Sequence, residues 1–175
     1  MSKSEWIIRA ATPDDAPALS VLAESTFRET FRDGNTESDL NAYCAASFGA
    51  DIQGSELADA ATLTLVAEHA GRLIAYSQLI ANKTHAVVEG VRPIELKRFY
   101  VDKAFHGTPL APELMRASEA TAKAAGGDVV WLGVWERNPR AIRFYQKSGY
   151  QEVGSHTFTV GSDAQRDLVM SRRLV

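Results

Sequence analysis

The sequence predicts an α/β (α+β) domain on a mixed central sheet of six to seven strands with about four helices, and three observations carry that reading. Residues 62–69 and 72–80 are apolar runs joined by Ala70-Gly71, the pattern of an antiparallel hairpin. Residues 94–101 and 129–134 are short buried runs, each followed by a helical period, which suits parallel strands with covering helices. No repeat, low-complexity tract or linker interrupts the chain, so residues 1–175 read as one domain.

The elements follow in order. Trp6 to Ala10 is a short strand, and Thr12-Pro13-Asp14-Asp15 is a helix start with a cap, a proline at the first position and acid in the first turn. That helix continues through Leu19, Leu22, Ala23 and Phe27, and residues 28–35 read as a polar loop ending in Asp-Gly-Asn. A second helix opens near Thr36 or Ser38, with Leu40, Tyr43, Cys44 and Phe48 on one face. These two helices form a flap over a site, or simply close the core. After the hairpin, a loop from His85 to Pro93 leads to the strand ending at Val101. A helix runs from Pro109 to Ala125 and stops at Gly126-Gly127, where a left-handed cap is easy. Asn138-Pro139 starts another, with Ala141, Ile142, Phe144 and Tyr145 before Gly149. Residues 150–155 and 167–174 close the sheet.

Composition narrows the function classes. The chain is 45% hydrophobic and 23% charged, with net charge −3 and pI about 5.8. That balance argues against a nucleic-acid binder and leaves room for a cationic substrate. One cysteine, Cys44, rules out an intrachain disulfide, and no cysteine cluster suggests a metal. Residues 1–6 lack an apolar signal core and no run is long enough to span a membrane, so the location expected is cytoplasmic.

The stretch from Glu95 to Met115 is the strongest functional clue. Strand, turn and helix meet at His106-Gly107-Thr108, with Thr108 suited to the N-cap and Pro109 to the first helical position. Such a turn aims free amides and the positive end of a helix dipole at one spot, which suits a phosphate. It is neither a Walker loop nor a GxGxxG fingerprint.

Together with Asn138, Ala141, Phe144, Tyr145 and Gly149 at their spacing, this stretch resembles the Gcn5-related N-acetyltransferase (GNAT) superfamily from about Ile8 to the C-terminus. Residues 131–138, 26–31 and 163–168 further resemble PaiA-type polyamine N-acetyltransferases. The resemblance implies two parallel strands that splay to admit the pantetheine arm of acetyl-coenzyme A along the edge at Phe99, Tyr100 and Val101, chiefly through the backbone of Phe99 and Val101. It implies that His106, Gly107, Thr108, Pro109, Leu110 and Ala111 form the pyrophosphate turn, that Asn138 orients the cofactor and that Lys147 reaches its phosphate-rich end. A helix N-cap for Asn138 and a plain surface charge for Lys147 are the simpler alternatives. No metal is implied. One departure stands out: the family's phosphate turn has a cation first and glycine in the middle, where this chain has His106 and Pro109. Proline has no N–H to donate, so the phosphate grip should weaken by ~1–3 kcal/mol, one charge-assisted hydrogen bond. Alternatively Pro109 is only a good helix start.

By the same resemblance, Tyr145 is the acid that protonates the departing thiolate, or else packs in the core, and Glu95 is the base, or else a strand-end charge. An alkylammonium of pKa ~10.4 is neutral in only about one molecule in 2,500 at pH 7, so a base is expected. The function implied is direct acetyl transfer to a small-molecule primary amine, such as spermidine or spermine held by Glu24, Glu29, Asp33, Glu37 and Asp39 on the flap. The alternatives are a weakly active acyl-coenzyme A-binding relative and an acetyltransferase of protein or peptide amines. Neither nucleic acid nor membrane is expected as a partner, and a homodimer is left open.

Overall fold

A computed structural model describes residues 6–175 of the chain; residues 1–5, on which the expectation of no signal core falls, lie outside the described residues. Seven strands form one sheet in the order β1 (Ile7–Ala10), β2 (Thr62–His69), β3 (Arg72–Ala81), β4 (Pro93–Val101), β5 (Val129–Trp135), β7 (Asp163–Arg173), β6 (Gln151–Val160). Every neighbouring pair is antiparallel except β4 with β5. On one face lie α1 (Ala16–Phe31), α2 (Glu37–Ser47) and α3 (Ala50–Ala58); on the other lie α4 (Leu110–Ala124) and α5 (Pro139–Lys147). Leu19, Leu22 and Phe27 of α1 pack with Leu40 and Cys44 of α2 on Val66, Tyr76 and Trp135 of the sheet. Leu110 and Leu114 of α4 pack on Leu65, Ala67, Ile74 and Ala75 from the opposite side. Each buried leucine, isoleucine, valine or phenylalanine among them contributes roughly 1.5–3 kcal/mol. No described helix is long and apolar enough to cross a membrane.

The single parallel pair is short, and its brevity makes the site. Pro93, Ile94 and Glu95 lie opposite Val129, Val130 and Trp131, and the pairing stops there. Both strands nevertheless run on, β4 to Val101 and β5 to Trp135. The cause is a bulge in β4: Leu79 pairs with Leu96 and Gln78 with Arg98, leaving Lys97 as an extra residue. A bulge bends its strand and increases the twist, here just where β4 must leave β5. The extra residue also shifts the two-residue side-chain period by one. Arg98 and Tyr100 therefore point toward α1 and α3, while Leu96 and Phe99 join the cluster around Tyr145.

Several local expectations need correction. The helix after Thr12 does not stop at Phe27 but runs to Phe31, because Phe27 and Phe31, one turn apart, stack at 4.4 Å between centroids over the sheet. Residues 28–31 are thus helical, and the loop is shorter than residues 28–35. α3 was not legible, since Gln53-Gly54-Ser55 breaks any apolar period; its Gln53 amide donates back to Ser47 O at 3.0 Å. The closing hairpin is longer than residues 150–155 and 167–174 suggest, turning at Gly161 (φ +59°). Thr108 is not the N-cap of α4: its hydroxyl donates to Phe105 O at 2.7 Å, closing the preceding turn, and Pro109 takes the cap position. Thr36 does cap α2, accepting from Asp39 N at 3.1 Å, and Gly126 (φ +86°) and Gly149 (φ +91°) stop α4 and α5.

Candidate active site

A cavity of about 1030 Å³ occupies the gap where β4 and β5 part and is lined from both faces of the sheet. On the α4–α5 side its wall includes Phe99, Val101, His106, Gly107, Ala111, Asn138, Arg140, Phe144 and Tyr145. The Asp102 amide donates to Ile74 O on β3 at 2.8 Å. Backbone groups alternate along a strand, so the Tyr100 amide also faces β3, and those of Phe99 and Val101 face the gap. Phe99 and the Val101 amide thus present an unpaired edge, while the Val101 carbonyl is met by His106 Nε2 at 2.8 Å. Tyr100 does not: its ring lines the opposite half of the cavity and stacks on Tyr76 at 5.9 Å.

The turn before α4 is partly committed to itself. His106 N donates to Lys103 O and Thr108 N to Phe105 O, at 3.1 and 3.3 Å, and Leu110 N contacts the Thr108 hydroxyl at 3.3 Å. Gly107 holds φ +79° with open space where a side chain would begin, and with Ala111 it faces the cavity. Thr108, Pro109 and Leu110 stand off the cavity wall, Leu110 being fully buried beneath α4. His106 is engaged at both ring nitrogens. Its Nε2 contacts Val101 O at 2.8 Å and, since a carbonyl only accepts, carries the hydrogen; Nδ1 then receives Arg140 Nη1 at 2.5 Å. Arg140, in the first turn of α5, brings a guanidinium to the turn. No local pattern signals this contact across 34 residues.

Asn138 lines the cavity while its side-chain oxygen caps α5, accepting from Ala141 N at 3.2 Å. Lys147 is exposed in the last turn of α5 and lies off the wall. Tyr145 is buried at the wall, its ring edge-on to Phe99, Phe144 and Tyr150 at 6.3, 5.4 and 6.0 Å. Burial raises its phenol above the ordinary tyrosine range, so it keeps its proton. Glu95, half-buried at the vertex where β4 leaves β5, also has its pKa raised by burial, against the pull of Lys83, Lys97, His85 and Arg98.

On the α1–α2 side the wall is aromatic. Phe31 stacks on Trp135 at 5.2 Å, Tyr43 on Phe27 at 4.3 Å, and Phe158 meets Tyr43 edge-on at 5.6 Å. Buried Arg98 lies over the Phe48 ring at 4.9 Å and is held by Glu56 at 2.6 Å and Gln78 at 2.9 Å. Glu56 sits on α3, the helix the sequence hid. At the back of this half is Asp167 of β7, 7% exposed. The flap carboxylates do not form one acidic rim: Glu24 and Glu37 pair with Arg28, Glu29 with Lys103, and Asp39 accepts from Ser162. Only Glu29 and Asp33 reach the cavity wall. Cys44 is buried, with its thiol pushed up by desolvation, and takes no part. Among the described residues, no three His, Cys, Asp or Glu side chains are grouped to hold a metal ion.

Comparison with known proteins agrees with this geometry. The sequence matches the family described as acetyltransferase (GNAT) over residues 21–150. It is 34% identical over 161 residues to an uncharacterized N-acetyltransferase of Mycobacterium tuberculosis, covering 92% of this chain and 99% of that protein. It is 27% identical to an uncharacterized N-acetyltransferase of Lactobacillus delbrueckii subsp. lactis, covering 92% and 93%. Among solved structures, the PaiA N-acetyltransferase of Thermoplasma acidophilum in complex with coenzyme A superposes with TM-score 0.75 at 21% identity, covering 99% of each chain. At that identity the likeness speaks for the fold alone.

Proposed function

The chain belongs to the acetyltransferase (GNAT) family, and on that premise we propose that it transfers the acetyl group of acetyl-coenzyme A directly to a small primary amine, a polyamine such as spermidine or spermine being the finer reading. One observation supports this above the others: β4 and β5 stop pairing after Glu95 and Trp131, leaving the Phe99 backbone and the Val101 amide open beside a large cavity. An extended amide-bearing arm can satisfy such an edge as an added strand would.

The residues present suit that cosubstrate. Gly107 and Ala111 at the start of α4, with the Arg140 guanidinium, offer a polar, positive cradle for phosphate. Asn138 lines the same cavity, and the family resemblance assigns exposed Lys147 to an outer phosphate. Acetyl-coenzyme A, when bound, supplies the acyl group as an activated thioester. Tyr145 holds a proton at the gap and gives it to the sulfur as it leaves. Glu95 accepts the proton that the acceptor nitrogen must lose, its raised pKa bringing it toward the working pH. The aromatic half of the cavity excludes water from the meeting point. The family resemblance supports a polyamine acceptor, while the pairing of most flap acids moves the search for its cation-binding group deeper into the cavity. We place the reaction in the cytoplasm, on a single domain spanning residues 1–175, with neither nucleic acid nor membrane as a partner.

The test is coenzyme A release from acetyl-coenzyme A with spermine, spermidine, putrescine, n-butylamine and an N-terminal peptide amine. Turnover with the small amines supports the reading; turnover confined to the peptide, or binding without turnover of any acceptor, contradicts it.

A further inference from the structure

Asp167 is the buried charge that the proposed chemistry leaves unused. It sits directly opposite Trp135 of β5 and His156 of β6 in the sheet register, on the face that carries the aromatic half of the cavity. Gly133, two residues past the last β4–β5 pair, leaves it room: a Cβ there would stand 3.1 Å from Asp167 Oδ2. Oδ1 is buried and has no hydrogen-bond partner among the described residues. Oδ2 has only His156 Nε2, at 3.8 Å, beyond hydrogen-bond length. The other nitrogen of His156 is engaged by His85 Nε2 at 3.2 Å. A carboxylate left this way costs free energy, and the cost is removed when a cation fills the space before it.

What surrounds that space says which cation. Trp135, Phe31, Phe158 and Tyr43 stand around it as ring faces and edges, and Arg98 over Phe48 shows the same wall already holding a guanidinium. Aromatic faces with one carboxylate favour an alkylammonium carried on an apolar chain. Glu95 and Tyr145 stand at the vertex and on the far wall, where the reacting nitrogen belongs, so Asp167 is a separate anionic point in the same cavity, buried where the wall carboxylates Glu29 and Asp33 are not.

We propose that Asp167, within this ring of aromatic side chains, is the subsite for a second, non-reacting ammonium group of the acceptor, which makes the preferred substrate a diamine or longer polyamine rather than a monoamine. The inference rests on the amine acetyltransferase reading and gives its polyamine branch a residue. Burial, followed by the charge of Glu136, pushes the Asp167 carboxyl up to about 7. The other titratable groups facing it are His156 from β6 and Tyr43 from α2; His85 stands behind His156, and Glu95 and Arg98 of β4 line the same cavity, Arg98 paired with Glu56. An arriving ammonium favours the ionised carboxyl, so recognition of the second charge strengthens as pH rises through this value.

The experiment compares kcat/KM for putrescine and for n-butylamine, which share a carbon chain and differ in the distal ammonium, in the unmodified protein and in Asp167→Asn at saturating acetyl-coenzyme A. The expected ratio in the unmodified protein is at least about tenfold in favour of putrescine, the equivalent of one charge-assisted hydrogen bond, and it falls toward unity in the variant. A ratio unchanged by the substitution overturns the proposal. Should the variant not fold, the unmodified protein decides alone. A putrescine preference that grows between about pH 6 and pH 8 supports the subsite, and one that is flat or absent overturns it. Turnover of neither amine would instead remove the acetyltransferase reading on which the inference stands.

Discussion

Glu95 faces Trp131 in the last register pair that β4 and β5 share. The carboxylate is therefore fixed at the vertex of the opening rather than somewhere along its walls. Its backbone position comes from pairing on both flanking strands, Ile80 on one side and Trp131 on the other, so the side chain sets out from a fixed point. Glu95→Gln preserves shape and removes only the base. We expect kcat/KM to fall by about 10²-fold or more, with acetyl-coenzyme A affinity retained. The acidic limb of the pH profile in the unmodified protein should lie above the ordinary glutamate range, as burial requires, and should be absent from the residual activity of the variant.

Tyr145→Phe tests the acid. The ring contacts with Phe99, Phe144 and Tyr150 survive the change, so stability should hold while kcat drops by about 10²-fold or more, the scale of a lost proton donor. A full-rate variant would leave Tyr145 as packing.

Pro109→Gly and Arg140→Ala separate the two ways in which the turn before α4 can grip phosphate. Pro109 stands off the cavity wall, whereas Arg140 reaches His106 at its edge. Arg140→Ala should weaken coenzyme A binding by roughly 1.5–3 kcal/mol, the worth of a hydrogen bond to a charged group, and less at high salt. Pro109→Gly restores an amide and should tighten binding slightly if that amide can turn inward. Calorimetric titration with coenzyme A measures both.

Asp167 makes a prediction about stability. Its folded-state carboxyl titrates near about 7 against an ordinary value of 3.8. Between these values the folded protein holds a proton that the unfolded chain has released, so stability falls as pH rises through that window and stays lowered above it. Asp167→Asn removes the effect. The variant should melt higher than the unmodified protein at about pH 8, with the gap narrowing toward about pH 4; a gap independent of pH would contradict the burial account.

How much of this was legible in the sequence can be traced residue by residue. The hairpin through Ala70-Gly71, the strand ending at Val101 and the helix stops at Gly126 and Gly149 were readable because turn chemistry and apolar period agree there. Asn138, Tyr145 and Glu95 were found through spacing and resemblance, and all three reach the cavity. Arg98, Arg140, His156 and Asp167 were not, since each acquires its place through a contact or a register that no local pattern encodes. The bulge at Lys97 is the clearest case. One extra residue turns Arg98 inward, yet read as plain alternation the strand would send it to the other face. That the Tyr100 backbone faces β3 while its ring lines the cavity was hidden for the related reason that the Asp102 to Ile74 hydrogen bond, not the sequence, reveals which backbone groups face the gap.

The central claim is that the cosubstrate lies along the open edge of β4, and residue-resolved amide hydrogen exchange tests it most directly. On saturation with acetyl-coenzyme A, the amides of Phe99 and Val101 should exchange at least about tenfold more slowly, while those of Ile94 and Glu95, next to the strand pairing already in place, change little. Saturable binding that leaves Phe99 and Val101 as exposed to exchange as before would contradict the account.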